Sequence, residues 1–206
     1  MLLVLPADAV EPRLAASMFR DRTRQFRDRL GWPVTVVDGE ERDQYDAEDP
    51  MYVIWQEADG SHGGSLRLLP TTGRTMTAEH FLHLTGGVAL QSPFIWEATR
   101  FCLAPTASPR VAAALMLGAT EAMRDAGVDH LLGVFDAPML RVYRRLGHAP
   151  DVLGEAGGIC AGLWAVDGAA RARLMRRAGL DEAALAGLMF APALPMPATF
   201  PLSLAA

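Results

Sequence analysis

Apolar and polar positions alternate along this chain with two periods, and the change from one to the other sets out its elements. Residues from about 11 to 30 place Leu14, Met18, Phe26 and Leu30 among many arginines, with Pro12 suited to a first turn, which predicts a helix stopped by Gly31. Val34 to Val37 predicts a short strand after Trp32-Pro33, and Asp38 to Pro50 an acidic, solvated loop. Met51 to Glu57 and Gly63 to Leu69, joined at Asp59-Gly60, predict a hairpin. Thr77 to Leu84 predicts a short helix capped by Thr77, with Phe81 as its core anchor. A long helix follows at 110–126, then a strand at 131–135, a helix from Pro138 to Leu146, a strand from Gly162 to Val166 and a helix at 169–178. The last residues, about 191–206, are rich in proline and read as a tail. An early helix, neighbouring antiparallel strands and then strand–helix alternation define an α+β class: a central mixed sheet flanked by helices on both faces.

One stretch conflicts with its own pattern. Phe94 to Phe101 has the aromatic and β-branched content of a buried strand but carries Glu97 and Arg100. Buried charges need partners. Strand alternation places Glu97 and Thr99 on one face and Trp96, Ala98 and Arg100 on the other, so the two ions require separate ones. Arg67, flanked by Leu66, Leu68 and Leu69, raises the same demand. Asp43, Asp46 and Glu97 equal Arg22, Arg67 and Arg100 in number, so mutual pairing is the economical arrangement. Such a network is either structural or the wall of a charged cleft, and the aromatic Phe26 and Trp32 just after Arg22 favour the cleft.

Composition narrows the function. The 206 residues suffice for a single domain, 1–206, with a full core. A formal net charge of -5 without a basic stripe argues against a nucleic-acid partner. The two cysteines lack metal-ligand spacing, no apolar run reaches membrane-spanning length, and residues 1–10 do not form a secretory signal. A cytoplasmic protein without membrane partner, metal or prosthetic group is expected. His80 and His83 share a helix face but have no third ligand nearby in sequence.

The motif blocks in order are Arg22-x-x-x-Phe26-x-x-x-x-x-Trp32, Glu41-x-Asp43-x-Tyr45-Asp46, Arg67-Leu68-Leu69-Pro70-Thr71, Phe81 and Ile95-Trp96-Glu97-x-x-Arg100-Phe101. Together they resemble the autoinducer synthases that make N-acyl-homoserine lactones. The resemblance spans about residues 22–101; beyond it, Met139-Leu140-x-x-Tyr143-x-x-Leu146-Gly147 is similar in pattern only. It implies a fold related to GNAT-type N-acyltransferases, S-adenosylmethionine as one substrate, and a fatty-acyl thioester on acyl carrier protein or coenzyme A as the other. The product is a quorum-sensing signal. It also implies Arg22, Phe26, Trp32, Asp43, Asp46, Arg67, Phe81, Glu97 and Arg100 as characteristic residues, with Thr99 where relatives carry Ser or Thr.

The chemistry of that substrate agrees with these residue types. An ammonium, a carboxylate and a sulfonium call for carboxylates, a guanidinium and aromatic faces in one pocket. Glu97 is the expected general base, Asp46 the partner of the ammonium, Arg100 that of the carboxylate or the brace of the acids, and Phe26 with Trp32 the adenosine wall; Arg67 with Asp43 is expected to be scaffold. The expected acyl wall is Met116, Leu117, Met123, Leu132, Val134, Met139, Leu140 and Leu163, which are core positions in any case. Relatives that prefer 3-oxo chains often carry Thr on the strand matching Leu131 to Phe135; no Ser or Thr lies there in this chain, so the resemblance implies little preference for 3-oxo donors. Arg110, Arg141, Arg144, Arg145, Arg171, Arg173, Arg176 and Arg177 are candidates for docking an acidic carrier. Two rivals remain at this point: an acetyl-CoA-dependent N-acetyltransferase, which the glycine-poor start of the 110–126 helix disfavours, and a non-catalytic ligand sensor.

Overall fold

The computed structural model describes residues 1–186 and the backbone of 189–190. The proline-rich tail expected at 191–206 lies outside them. Its framework is an eight-stranded sheet in the order β10-β1-β4-β5-β6-β7-β9-β8. The strands are β1 (Leu2–Pro6), β4 (Met51–Gln56), β5 (His62–Pro70), β6 (Ile95–Leu103), β7 (His130–Asp136), β8 (Asp151–Ala156), β9 (Ile159–Ala165) and β10 (Met189–Phe190), with β2 (Val36–Val37) and β3 (Glu40–Glu41) forming a separate small hairpin. Among the described residues only β1–β10 and β6–β7 are parallel; the other pairs of the large sheet are antiparallel, which makes it mixed as expected.

Helices cover both faces. On one lie α3 (Pro109–Asp125), α4 (Met139–Leu146) and α5 (Gly168–Ala178); on the other lie α1 (Pro12–Arg22) and α2 (Met76–His80). A last short helix, α6, spans Glu182–Ala186. Period-two alternation sorts the sheet residues: Leu2, Val4, Met51, Val53, Leu66, Leu68, Trp96 and Leu131 pack under α3, while Leu3, Leu5, Tyr52 and Ile54 meet Leu14, Met18 and Phe19 of α1. α3 is buried along almost its whole length because its Ala, Leu and Met positions meet the sheet on one side and α5 on the other. Among the described residues no helix is long and apolar enough to cross a membrane.

Several local expectations change. The first helix does run on past Arg22, but Thr23–Arg29 widens into a π-type turn that ends at Gly31, φ +68°. The strand expected at 34–37 shrinks to Val36–Val37. The helix expected at 77–84 is capped by Thr75, whose hydroxyl accepts from Ala78 N–H, and it stops at His80 before a 3₁₀ turn at Leu82–Thr85. Thr77 is inside that helix and its own N–H is used elsewhere. Phe81 is only half-buried; Leu84, at 2 % exposure, is the anchor of that segment.

β6 deviates most from expectation. Its ladder with β5 pairs Arg67 with Thr99 and Ser65 with Cys102, so two residues of β6, Arg100 and Phe101, oppose the single Leu66. This is a β-bulge, and Arg100 adopts φ +55° within it. The extra residue resets the alternation: Phe101 and Leu103 join Ala98 on the α3 side, and Arg100 turns to the Thr99 side. Arg100 therefore does not share a face with Trp96 and Ala98, contrary to the alternation rule. On its other edge β6 pairs with β7 only from Ile95 to Glu97, and beyond that no ladder joins them. The sheet splays open there.

Candidate active site

The acidic loop is folded inward over the α1 face. Gly39, φ +81°, closes the β2–β3 hairpin so that Glu41 comes to lie opposite Val36 with no exposure at all. Asp43 then caps the 3₁₀ turn Gln44–Ala47, and Asp46 accepts from the Asp43 N–H at 2.9 Å, a reciprocal capping box. Three carboxylates thus project from the six residues Glu41–Asp46 toward three guanidiniums on α1, β5 and β6.

The pairing is interlocked. Arg22, at 1 % exposure, gives its Nε to Glu41 and both terminal nitrogens to Asp46, at 2.9 and 3.0 Å. Arg67, fully buried, holds both oxygens of Asp43, reaches Asp46 at 2.8 Å and donates from Nε to the Thr99 hydroxyl at 3.0 Å. Arg100 closes the ring, with its Nε 3.1 Å from Glu41 and Nη2 2.7 Å from Asp43. Tyr52 adds a hydroxyl donor to Asp46 at 2.7 Å. Three positive and three negative charges balance within one buried cluster, the condition under which burial of ions is tolerable.

The electrostatics follow from this geometry. Burial alone would raise the Asp46 carboxyl, but Arg22, Arg67 and the Asp43 N–H outweigh it and hold it well below the usual carboxylate range. Burial would lower the Arg22 guanidinium; Asp46 and Glu41 reverse that and fix its charge. Burial and the neighbouring Asp46 push the Tyr52 phenol up, so it remains a donor.

The side of the cluster that meets solvent is formed by Asp43 and Arg100, whose side chains are 12 % and 11 % exposed. Beside them Phe26 and Trp32 stack in near-parallel planes, 10° apart, at 5.2 Å, held by a Trp32 N–H to Phe26 carbonyl bond. The Arg100 guanidinium lies 5.4 Å from the Phe26 ring centre. Cation, carboxylate and aromatic wall are therefore together, as the sequence suggested.

Glu97 stands apart from the ion pairs. It is fully buried, and its two oxygens accept the N–H groups of Thr77, at 2.6 Å, and Met76, at 3.0 Å. It ties the start of α2 to β6. Phe81, at the end of α2, takes no part in the charged cluster and has its ring 6.1 Å from His83. His80 lies against Tyr45 instead, and among the described residues no group of three or more His, Cys, Asp or Glu side chains is placed to hold a metal ion.

On the opposite face of β6 the splay opens an apolar cleft of about 50 Å³ lined by Leu66, Ala98, Phe101, Met116, Leu131 and Val134. Thr99 and Arg100 line it too, so the bulge touches both the charged cluster and the cleft. Gly133 forms part of the wall: a Cβ there would lie 3.0 Å from the Trp164 ring and 3.1 Å from the Ala98 carbonyl oxygen. Of the expected acyl wall, Met116 and Val134 line the cleft, whereas Leu117 and Met123 are sealed in the core. On β7 Leu131, Gly133 and Val134 line the cleft and the expected Leu132 does not.

Sequence reasoning did not single out Glu41, which bridges Arg22 and Arg100, or Tyr52. Glu41 stands two residues before Asp43 in the same motif block, and that spacing was its only signal.

Comparison with known proteins agrees with this architecture. A sequence profile described as Autoinducer synthase matches residues 9–161. An acyl-homoserine-lactone synthase of Rhizobium etli is 45% identical over 179 residues, 81% of this chain and 84% of that protein. The structure of MesI, described as a CoA-dependent acyl-homoserine lactone synthase, superposes with a TM-score of 0.76 at 26% identity, over 88% of this chain and 96% of that one. The fold alone extends to an acyl-CoA N-acyltransferase from Pseudomonas aeruginosa, with a TM-score of 0.53 and 16% identity over 79% of this chain and 97% of that one. The bulged strand, the splayed sheet and the interlocked ions thus sit in a chain that belongs to the autoinducer synthase family, on the GNAT-like fold.

Proposed function

We propose that this chain transfers a fatty-acyl group from an acyl thioester to the amine of S-adenosylmethionine and converts the adduct to an N-acyl-homoserine lactone. The observation that carries this reading is the position of Arg100. One residue of β6 joins the charged cluster and aromatic pair to the apolar cleft, so an amine held on one side meets an acyl carbon held on the other.

In the first step the amine nitrogen attacks the thioester carbonyl, the carbon–sulfur bond breaks and the thiol leaves. In the second a carboxylate oxygen of the methionyl group attacks its own γ-carbon, and the bond to the sulfonium breaks to release methylthioadenosine. The second step is intramolecular and needs chiefly a folded-back conformation. Arg100 is suited to holding the carboxylate, and the Phe26–Trp32 stack to the adenosine. Asp43 is better placed to face the ammonium than Asp46: the oxygens of both are paired, those of Asp43 with the Tyr45 N–H, Arg67 and Arg100, but Asp43 is the least buried acid of the cluster, at 12 % exposure against 7 %. Arg22, Arg67 and Thr99 then set the geometry of those that touch substrate.

An α-amino group titrates at about 7.7 to 8.0, so a base of modest strength suffices at neutral pH. Glu97 is that base in this reading. The N–H groups of Met76 and Thr77 use one lone pair on each oxygen and leave a second for a water that relays the proton. Phe81 ends the helix whose start Glu97 fixes and stands apart from the Phe26–Trp32 pair, beside His83. The donor is an acyl group on coenzyme A or acyl carrier protein, and arginines in the last turns of α4 and α5 are available to an acidic carrier. Both substrates place the reaction in the cytoplasm.

Incubation of the pure protein with S-adenosylmethionine and each thioester type, followed by mass spectrometry, should show methylthioadenosine and lactone in equal amounts. Absence of both with every donor would overturn the reading. Glu97→Gln tests the base: kcat should fall roughly 10²- to 10⁴-fold with the acid limb of the pH profile lost and KM for S-adenosylmethionine kept. A raised KM with an intact pH profile would instead make Glu97 a positioning residue.

A further inference from the structure

The α3 face of the sheet holds a second, larger cavity that the reaction as described does not use. It measures about 500 Å³ and is walled by Pro6, Ala7, Met51, Pro70, Pro93 and Trp96, with the exposed Asp8 and Asp49 and the half-buried Glu48 also lining it toward solvent. That volume is within the range of small-molecule sites, whereas the cleft at the splay, about 50 Å³, has room for little more than one or two methylene-sized groups.

The two spaces are lined by neighbouring residues of the same sheet. Trp96 lines the large cavity, and its cross-strand partner Leu131 lines the cleft. Ala98, two residues on and about 7 Å along the same face of β6, also lines the cleft. Leu68 pairs with Met51 on one side and with Ala98 on the other, so the same row of side chains runs from one space to the other across β4, β5 and β6. Trp96 flanks that row, opposite Pro70 of β5 and Leu131 of β7; its indole is bulkier than any side chain in the row, and it is 5 % exposed.

We propose that the larger cavity is the distal continuation of the acyl cleft, with Trp96 as the partition that limits the length of hydrocarbon chain the protein accepts. This rests on the acyltransferase reading above. The chemistry of the cavity fits the occupant: its apolar wall suits methylene groups, and the acids at its edge disfavour a chain ending in a carboxylate, so the ligand is an unsubstituted acyl tail ending in a methyl group.

The test is kcat/KM for the full chain and its Trp96→Ala and Trp96→Leu variants across saturated acyl thioesters of four to fourteen carbons, with methylthioadenosine release as the readout. Opening the partition should raise the ratio of long-chain to short-chain kcat/KM by about tenfold or more, the order that a methylene group carries in an apolar pocket, with KM for S-adenosylmethionine unchanged. If Trp96→Ala does not fold, Trp96→Leu carries the same test with a smaller shift. An unaltered chain-length profile in folded variants overturns the partition and leaves the enzyme reading intact. Loss of all activity in the unmutated chain would overturn the enzyme reading instead.

Discussion

Glu41 shows how a single side chain can matter more than its neighbourhood suggests. It lies in a run that composition reads as a solvated acidic loop, yet it is fully buried between Arg22 and Arg100. Removing one partner of a buried ion cluster leaves the others uncompensated. Glu41→Ala should therefore cost about 3 to 5 kcal/mol in urea denaturation, whereas Asp28→Ala, which breaks the half-exposed Arg27–Asp28 pair, should cost under about 1 kcal/mol. Equal losses would show that the cluster is hydrated in solution. The sequence identified Arg22, Asp43, Asp46, Arg67 and Arg100 because each charge was conspicuous among apolar or patterned neighbours. Glu41 was not conspicuous, since its burial depends on a turn at Gly39 that brings distant elements together.

At the scale of elements, most helices and the central hairpin were legible from periodicity, and the failures have a common cause. A period-two pattern assumes an unbroken strand, so it placed Arg100 on the wrong face of β6; the bulge exists only relative to the register of β5. The cap of α2 failed similarly. Thr75 and Thr77 are equally good caps by residue type, and the choice was settled by Glu97, which occupies the Thr77 N–H. The short helix and the 3₁₀ turn after it are held in place from the far edge of the sheet. β8 also bulges, between Val152 and Gly154, and a Cβ on Gly154 would come within 2.4 Å of the Leu84 carbonyl oxygen. A backbone atom cannot give way cheaply. Gly154→Ala should lower stability by about 1 to 3 kcal/mol and reduce kcat/KM as well, because the displaced turn follows directly on the helix whose first N–H groups bind Glu97. Unchanged melting and activity would mean that the contact relaxes freely.

Across the whole molecule, the class, the mixed sheet and its two covered faces followed from element order, but β1, β8 and β10 carried too little pattern to be seen, and β1 and β10 meet only because the two ends of the described chain pair. Acid should dissect the folded state in two stages. Burial lowers the His148 imidazole below its ordinary value; its Nε2 donates to the Ala165 carbonyl at 3.0 Å and its Nδ1 has no partner, so a second proton finds no acceptor. The unfolded chain takes that proton near pH 6.5; the folded chain does not, and stability declines as pH falls below that value toward the lower folded one. Asp46 acts later. Its carboxyl is depressed in the folded state, so the stability it contributes is complete above about 3.8 and is lost as pH falls further. Urea midpoints from pH 8 to 3 should show both declines, and His148→Gln should flatten the first alone; a single decline near pH 4 in the unmutated chain would exclude the histidine step.

The brevity of the β6–β7 ladder has one more consequence. Every residue of the ion cluster and of its aromatic pair lies at or before Arg100, and the far wall of the cleft, Met116, Leu131, Gly133 and Trp164, comes from residues after it. Only three residue pairs couple those two segments through the sheet at the splay. The two specificities are therefore free to diverge separately: in descendants of this gene, drift in the far wall of the cleft, or at Trp96 and the cavity behind it, would rewrite which message is sent while the ion cluster keeps the common building block unchanged.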